Sequence, residues 1–261
     1  MFYFSRRLSS IPVLGIILQK LLRGYFNNFR PRYFVETRSG LTLLFDQRNI
    51  VDRNLLVYGE WEKDQIATLR DLIRLQREKA AKKTLFLDVG AHGGLYAMMV
   101  ADSPGFDRII AFEPEPQNYA QLRANLFMNK LTRRIETREF AVSDQCGTVS
   151  FYAHALGNRG ASRIDPQGQE ADFEPAVVVQ TKTLDSCIEA CDWQIALKID
   201  VEGHERAVLR GMSRLLREND CILQVEALDV DALEEATAIL KAENYRLVQR
   251  VANDYFFTVN T

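Results

Sequence analysis

The feature that most constrains this chain is segment 84–96, which reads Thr-Leu-Phe-Leu-Asp-Val-Gly-Ala-His-Gly-Gly-Leu-Tyr. An apolar run that breaks into a glycine turn and continues as a helical pattern is typical of a buried strand followed by a crossover helix. A second apolar run ends in Glu113, roughly 20 residues after Gly90, at the spacing expected for a carboxylate that binds a ribose. The two runs together predict the nucleotide cradle of an open α/β sheet.

Composition excludes some classes of protein. The 261 residues, 47% of them hydrophobic, suit one α/β domain with a large core, and the net charge of -2 does not favour a nucleic-acid partner. The four cysteines lack the spacing of a metal knuckle or a secreted disulfide framework, so we expect reduced thiols in a cytoplasmic protein. The apolar stretch 11–22 is interrupted by Pro12, Gly15, Gln19 and Lys20, so a transmembrane helix is not expected.

Residues 1–32 form a basic and apolar N-terminal extension, and we expect the main domain over residues 33–261. The extension has no acidic residue, and its basic residues are Arg6, Arg7, Lys20, Arg23, Arg30 and Arg32. Two interpretations lead, and an uncleaved signal peptide is a weaker third, because no small-residue cleavage site follows the apolar stretch. The extension either packs on the domain as a helix with solvated cations, or contacts the inner face of an anionic membrane peripherally.

Apolar runs alternate with helical patterns from residue 84 onward, which predicts a mostly parallel sheet with helices on both faces. The predicted strands are 84–89, 108–113, 135–142, 195–201 and 221–226, and the predicted helices are 94–102, 116–129, 204–217 and 230–243. The end of the chain, 245–251 and 254–259, predicts a closing hairpin with one antiparallel strand. Upstream, 32–46 predicts a hairpin around Ser39-Gly40, and 61–79 predicts an amphipathic helix.

An insertion of about residues 147–182 separates the third and fourth core strands. Strand-like runs at 148–152 and 176–181 flank a long polar loop, 155–175. Loops of this length inside a compact domain are disordered or act as lids, and the sequence leaves both open.

The glycine pattern decides between cofactors. A dinucleotide fingerprint needs G-x-G-x-x-G, but His92 stands at the second glycine position and Leu95 at the third. Asp88, just before the turn, is tolerable beside the cationic methionine moiety of S-adenosylmethionine and unfavourable beside a pyrophosphate. The pattern therefore favours S-adenosylmethionine over NAD, with Glu113 accepting hydrogen bonds from the ribose hydroxyls.

Segment 196–205, Ala-Leu-Lys-Ile-Asp-Val-Glu-Gly-His-Glu, places charges where a central parallel strand should be apolar on both faces. Alternation puts Lys198 and Asp200 on one face, and the strand end would bring Asp200, Glu202 and His204 to the substrate, with Glu226 on the next strand. The alternative is structural: an ion pair between Lys198 and Asp200, with Glu202 capping the following helix.

These motifs resemble the FkbM family of S-adenosylmethionine-dependent methyltransferases. The resemblance rests on Asp88-Val-Gly-Ala-His-Gly-Gly, Phe112-Glu-Pro, Ala141-Val-Ser-Asp144, Thr183-Leu-Asp185 and, most specifically, Lys198-Ile-Asp-Val-Glu-Gly-His-Glu205 with Leu209-Arg-Gly211. It implies a class I, Rossmann-like methyltransferase fold with seven strands and the last one antiparallel. It also implies O-methylation of a sugar, glycan or glycolipid hydroxyl, or of a secondary metabolite. His92 departs from the asparagine that is common at its position.

From the residues and this resemblance we predict a set of side chains for each role. The cofactor would be bound by Glu62, Asp88, Gly90, Ala91, His92, Gly93, Glu113, Pro114, Ser143 and Asp200. The catalytic candidates are Asp200, Glu202 and His204. We favour Asp200 as the general base because a strand end is a rigid platform.

Some alternatives stay open. A divalent ion such as Mg²⁺ at Asp200, Glu202 and Glu226 is conceivable but not favoured, because acidic residues beside a cationic cofactor need no metal to explain them. A non-catalytic cofactor-binding scaffold and an NAD-dependent oxidoreductase are the competing functions.

Overall fold

The computed structural model describes residues 31–59, 61–77, 82–101, 105–153, 162–164 and 176–260. Residues 1–30 of the predicted extension and most of the predicted loop 155–175 lie outside the described residues. The described chain contains a two-stranded hairpin, a seven-stranded sheet and a three-stranded sheet.

The strands are β1 (Tyr33–Arg38), β2 (Leu41–Asp46), β3 (Thr84–Val89), β4 (Arg108–Phe112), β5 (Glu136–Arg138), β6 (Ala141–Val142), β7 (Gly147–Phe151), β8 (Val177–Lys182), β9 (Gln194–Ile199), β10 (Asp220–Glu226), β11 (Tyr245–Val251) and β12 (Asp254–Val259). The helices are α1 (Ile50–Tyr58), α2 (Lys63–Arg77), α3 (Leu95–Ala101), α4 (Pro116–Met128), α5 (Leu184–Cys187), α6 (Glu205–Arg210), α7 (Ser213–Glu218) and α8 (Val230–Ala242).

The main sheet has the strand order β11-β12-β10-β9-β3-β4-β5. The pairs from β10 to β5 are parallel, and β12 runs antiparallel to both β10 and β11. Every residue of β3 and β9 is buried, as expected for central strands that are covered on both faces. The predicted mostly parallel seven-stranded sheet with a closing antiparallel hairpin is therefore confirmed.

Alternation along the strands divides the core into two layers. Leu85, Leu87 and Val89 of β3 pack with α5 to α8 on one face. Phe86, which is fully buried, packs with α1 to α4 on the other. Successive side chains of a strand point to opposite faces, so an apolar run such as β3 supplies both layers. The predicted helices on both faces are confirmed.

The β1–β2 hairpin is attached to the domain through the side chains of Asn125 in α4 and of Asn129, the C-cap residue of that helix. Asn125 Oδ1 accepts a hydrogen bond from the Leu44 amide at 2.7 Å, and Asn129 Oδ1 accepts one from the Thr42 amide at 2.9 Å. The two asparagine side chains thus provide acceptors for backbone N–H groups of β2 that have no strand partner on that edge. The attachment brings the start of α1, at Asn49, to the edge of the main sheet where the strands end.

Two predicted elements were wrong in detail. The predicted strand 135–142 is divided, because β5 belongs to the main sheet and β6 joins the three-stranded sheet β6-β8-β7. The predicted helix 204–217 breaks into α6 and α7 at Gly211. A Cβ at Gly211 would lie 2.1 Å from the Ser143 carbonyl oxygen, so the chain bends at a residue that allows this close backbone approach.

The sequence did not predict helix α1, whereas the hairpin around Ser39-Gly40 and the helix from residue 63 are confirmed. All four cysteines are free thiols, as their spacing predicted. Among the described helices, none is both long and apolar enough to cross a membrane.

Candidate active site

A cleft with a volume of about 270 Å³ opens at the carboxyl ends of β3, β4, β9 and β10. This edge of an open α/β sheet is where ligands bind. The cleft is lined by the turn after β3, by Glu113 after β4, by residues 200–202 after β9 and by Glu226 at the end of β10. Trp61 and Glu62 line it from the segment before α2, and Phe151 from the small sheet.

The turn after β3 is in close contact with the end of β9. Gly90 has a φ of 80°, and a Cβ there would lie 1.8 Å from the carbonyl oxygen of Asp200. The Asp200 amide also donates a hydrogen bond to the Val89 carbonyl at 3.1 Å. Glycine at residue 90 therefore allows the left-handed turn and the close approach of the two backbones.

Glu113 is 4% exposed and is held by three donors. Its Oε2 accepts from the His92 amide at 2.7 Å, and its Oε1 accepts from the Glu115 amide at 3.0 Å and from Asn118 Nδ2 at 3.4 Å. Burial raises the pKa of Glu113 to about 7, against these hydrogen bonds. A carboxylate offers about four acceptor positions, so roughly one remains for a further donor.

Lys198 lies at the centre of the acidic cluster. Its Nζ donates to the Gly90 carbonyl at 2.8 Å, is 3.0 Å from Asp200 Oδ2 and is 3.9 Å from Asp88 Oδ1. Burial alone would lower the pKa of Lys198, but Asp200, Asp88 and Glu62 raise it overall. The lysine is therefore cationic, and the ion pair between Lys198 and Asp200 that the structural alternative expected is present.

Asp88 is fully buried under the glycine turn. Its Oδ2 accepts from the Ala97 amide at 3.0 Å, so the carboxyl group holds the start of α3. Burial raises the pKa of Asp88, although Lys198 opposes this shift. Asp88 was predicted to contact the cofactor, and the structure places it beneath the cleft, where it supports Lys198.

Three carboxylates converge at the mouth of the cleft. Oxygens of Asp200, Glu202 and Glu226 lie within 4.8 Å of one another, a separation that could accommodate a metal ion. Burial opposes ionisation of Asp200, but Lys198 holds its pKa below the ordinary value. Burial and the neighbouring Asp200 raise the pKa of Glu226, which is hydrogen-bonded to Asp200. The two carboxyl groups therefore share one proton, and Asp200 is the ionised partner.

Glu202 does not cap the following helix, so this part of the structural alternative is wrong. Glu205 Oε1 accepts from the Val201 amide at 3.1 Å and from the Gly203 amide at 3.0 Å. Glu202 instead has a φ of 54°, lines the cleft and is 3.9 Å from Arg163 Nη2. Burial raises the pKa of Glu202 to about 7.

His204 and Ser143 form a hydrogen-bonded pair beside this cluster. Ser143 Oγ lies 2.9 Å from His204 Nε2, and the serine is 5% exposed. Burial lowers the pKa of His204, with Asp144 opposing the shift. His204 lines the cleft, whereas Ser143, which was predicted to bind the cofactor, does not line it and contacts the imidazole of His204.

His92 and Glu62 both have left-handed backbone conformations at the cleft. His92 has a φ of 50°, and its Nε2 is 2.6 Å from Asn49 Nδ2. Glu62 has a φ of 45° and a hydrogen bond to Tyr96, and burial raises its pKa to about 7. Non-glycine residues in this conformation are uncommon and occur preferentially at functional sites.

The structure brings most of the predicted site residues to one cleft: Glu62, Gly90, Ala91, His92, Gly93, Glu113, Pro114, Asp200, Glu202 and His204. Sequence reasoning missed Asn49 and Trp61 as neighbours of these groups. A helix start signal was available for Asn49, because an asparagine precedes the apolar pattern of α1, but its contact with His92 spans 43 positions.

The sheet order, the antiparallel strand and the cleft define a class I methyltransferase fold. Residues 88–247 match the family described as Methyltransferase FkbM domain. The chain belongs to the FkbM family of S-adenosylmethionine-dependent methyltransferases. The alternative that the protein is an NAD-dependent oxidoreductase is therefore wrong.

The chain is also similar to individual proteins. It is 24% identical over 202 residues to the hexuronic acid methyltransferase AglP of Haloferax volcanii, with 76% of this chain and 79% of that protein covered. It is 29% identical over 190 residues to the 31-O-demethyl-FK506 methyltransferase FkbM of Streptomyces tacrolimicus, with 62% and 72% covered. The crystal structure of a methyltransferase FkbM from Methylobacillus flagellatus KT matches with a TM-score of 0.48 at 20% identity. That match covers 68% of this chain and 43% of that chain.

The residues of the cleft fit S-adenosylmethionine. The cofactor carries positive charge on its sulfonium and amino groups, and the cleft presents the carboxyl groups of Glu62, Asp200 and Glu202. Glu113 follows the next strand and has an acceptor position left for a ribose hydroxyl. The imidazole of His92, at the position of the second fingerprint glycine, would obstruct a pyrophosphate.

Proposed function

We propose that this protein is an O-methyltransferase that acts on a hydroxyl group of a sugar, glycan or glycolipid, or of a secondary metabolite. The observation that carries the proposal is the position of Asp200. Asp200 follows the central strand β9, its backbone carbonyl lies against the turn at Gly90, and the residue lines the cleft. When bound, S-adenosylmethionine supplies a methyl group on a sulfonium, which an oxygen can attack in line with the departing sulfur.

Asp200 is suited to receive the hydroxyl proton. Lys198 keeps it ionised, and its side chain is 29% exposed toward the cleft. A low pKa makes Asp200 a weak base, but the acceptor hydroxyl becomes strongly acidic as its oxygen forms the new bond to carbon. A positioned base of this kind contributes roughly 10²–10⁴-fold to the rate.

The proton released by the acceptor leaves through Asp200. The acceptor O–H bond breaks while the O–CH₃ bond forms, and the proton passes to the Asp200–Glu226 pair and then to water. Glu226 holds the proton that the pair already shares, so Asp200 is free to accept the next one. In this proposal Glu202 and His204 orient the acceptor at the mouth of the cleft.

Two features support a sugar as the acceptor. Trp61 and several carboxyl groups line the cleft, and sites of this kind combine an apolar face with a few placed polar groups. One relative is named a hexuronic acid methyltransferase, and another methylates 31-O-demethyl-FK506. Uronic acids, neutral glycans and a glycosylated or hydroxylated metabolite are therefore the acceptors to compare.

The test is incubation with S-adenosylmethionine that carries an isotope-labelled methyl group, followed by mass spectrometry of each acceptor. We expect one labelled methyl group on an acceptor oxygen, with an equal amount of the demethylated cofactor. If the cofactor binds but no acceptor in the panel gains a label, the protein is a binding scaffold with respect to these substrates and the proposed acceptor class is wrong.

A further inference from the structure

The contact between Asn49 and His92 joins the N-terminal part of the chain to the glycine turn of the cleft. Asn49 is 1% exposed and stands at the N-cap of α1, and His92 is the third residue of the turn after β3. The distance from Asn49 Nδ2 to His92 Nε2 is 2.6 Å. This contact has no assigned role in methyl transfer.

The orientation of the Asn49 amide follows from its capping role. Asn49 Oδ1 accepts a hydrogen bond from the Val51 amide at 2.9 Å. Exchanging the oxygen and nitrogen of the side chain would place an NH₂ group against the Val51 N–H, where two donors would face each other. The group that meets His92 is therefore the NH₂ of Asn49, which can donate but cannot accept.

A donor at this position determines the state of the imidazole. Nε2 of His92 must supply a lone pair, so its proton can reside only on Nδ1, and the ring must be neutral. An imidazolium has an N–H at both nitrogens and would turn a short hydrogen bond into a contact between two donors. We propose that Asn49 is a positioning residue that holds His92 as the neutral Nδ1–H tautomer.

Acidic groups near His92 act against Asn49, because a negative charge favours protonation of the imidazole. Glu113 Oε2 accepts from the His92 backbone amide, and Asp200 lies close enough for its charge to interact with a charged His92 ring. Glu113 is protonated over much of the range in which histidine titrates, so its effect is small, whereas the ionised Asp200 would favour an imidazolium and the buried Asn49 opposes it. Without Asn49, we expect His92 to take up a proton near or above its ordinary pKa of about 6.5.

The consequence concerns the methyl donor, and this step rests on the proposed function. His92 lines the cleft that we assign to a cofactor with two positively charged groups. A neutral ring adds no repulsion to these groups, whereas a protonated ring would place a third positive charge beside them. Asn49 would thus prevent the additional loss of donor affinity that protonation of His92 would cause as the pH drops through the normal range of histidine titration.

The first test observes the tautomer directly in the full chain without any ligand. The sequence has three histidines, and ¹⁵N-histidine NMR can assign His92 through the signals lost in His92→Asn. Asparagine also tolerates the left-handed conformation, so this variant should preserve the turn. We expect the pattern of a neutral ring protonated at Nδ1 from about pH 8 to about pH 5.5, below the ordinary pKa of histidine. An imidazolium near neutral pH, or a ring protonated at Nε2, would overturn the proposal.

The second test uses Asn49→Asp, because aspartate is as good an N-cap as asparagine but presents an acceptor to His92. We expect His92 to become an imidazolium at neutral pH. His92 lines the cleft and residue 49 does not, so the imidazolium would lie nearer to the cofactor than the new carboxylate. The affinity for S-adenosylmethionine, measured by calorimetry, should therefore fall, but by less than the roughly tenfold that an uncompensated charge interaction of about one pKa unit would cause.

A double-mutant cycle shows whether this loss passes through His92. In the His92→Asn background, Asn49→Asp should leave the affinity nearly unchanged. An equal loss in both backgrounds would refute the proposal, because Asn49 would then act through the fold of α1. The NMR result does not depend on methyl transfer, so failure of the proposed function and failure of this inference are distinguishable.

Discussion

Glutamate 113 offers a prediction whose magnitude follows from its surroundings. We consider Glu113→Gln, which keeps the shape of the side chain and removes its charge. In the wild-type protein, burial raises the pKa of Glu113 from 4.5 to about 7. The folded state therefore favours the protonated form, and the corresponding stability is present below about pH 4.5 and is lost as the pH rises through 7.

The effect is measured as the difference in unfolding free energy between the wild-type protein and the variant, compared at two pH values. Between about pH 5 and about pH 8, the shift removes about 2.5 kcal/mol from the stability of the wild-type protein. Glutamine does not titrate, so the free energy of unfolding of Glu113→Gln, measured with urea at both pH values, should lack this loss. A wild-type-minus-variant difference that stays constant with pH would show that Glu113 is not the buried titrating group described above.

The affinity of Glu113→Gln for the cofactor tests independently whether Glu113 binds the ribose. At about pH 8 the ionised Glu113 should bind a ribose hydroxyl more strongly than a glutamine oxygen by about 1–1.5 kcal/mol, or roughly five- to twelvefold in Kd. At about pH 5.5 the wild-type carboxyl group is protonated, and the two affinities should converge. Equal affinities at both pH values in calorimetry would remove Glu113 from the cofactor site.

Three further outcomes are expected. Gly90→Ala should abolish cofactor binding and impair folding, since its Cβ would lie 1.8 Å from the Asp200 carbonyl oxygen, while Gly40→Ala, at a similar φ in open space, should cost only about 1–2 kcal/mol in thermal unfolding. Deletion of residues 1–30 should abolish flotation with anionic vesicles at low salt and leave donor affinity intact, and failure of the intact protein to float would exclude the membrane interpretation. Activity should survive a chelator such as EDTA, and a loss that Mg²⁺ restores would make Asp200, Glu202 and Glu226 metal ligands.

The sequence predicted the sheet because its signals are local. The buried runs of β3 and β9, the turn at Gly90 and the closing hairpin each express a periodicity or a turn preference within a few residues. The spacing from Gly90 to Glu113 and the charges of the β9 segment likewise located most of the cleft, because parallel strands end at a common edge.

The remaining features depend on tertiary contacts. Helix α1 is short, and its burial in the core layer that it shares with β2 decides its formation. The break at Gly211 reflects its contact with the Ser143 backbone, and the division of 135–142 reflects a change of sheet partner. No local pattern shows that Asp88 would lie beneath the cleft.

Asp200→Asn tests the proposed mechanism most directly, with turnover and donor affinity measured on the same samples. Asparagine retains an oxygen for Lys198 and removes the charge. Turnover should fall at least about 100-fold while donor affinity and melting temperature change little, whereas Glu202→Gln and His204→Gln, the matched comparisons, should lose less. Full activity of Asp200→Asn would place the base elsewhere. A loss of folding or donor affinity in proportion to rate would show that the buried ion pair with Lys198 is structural, since breaking such a pair costs about 3–5 kcal/mol.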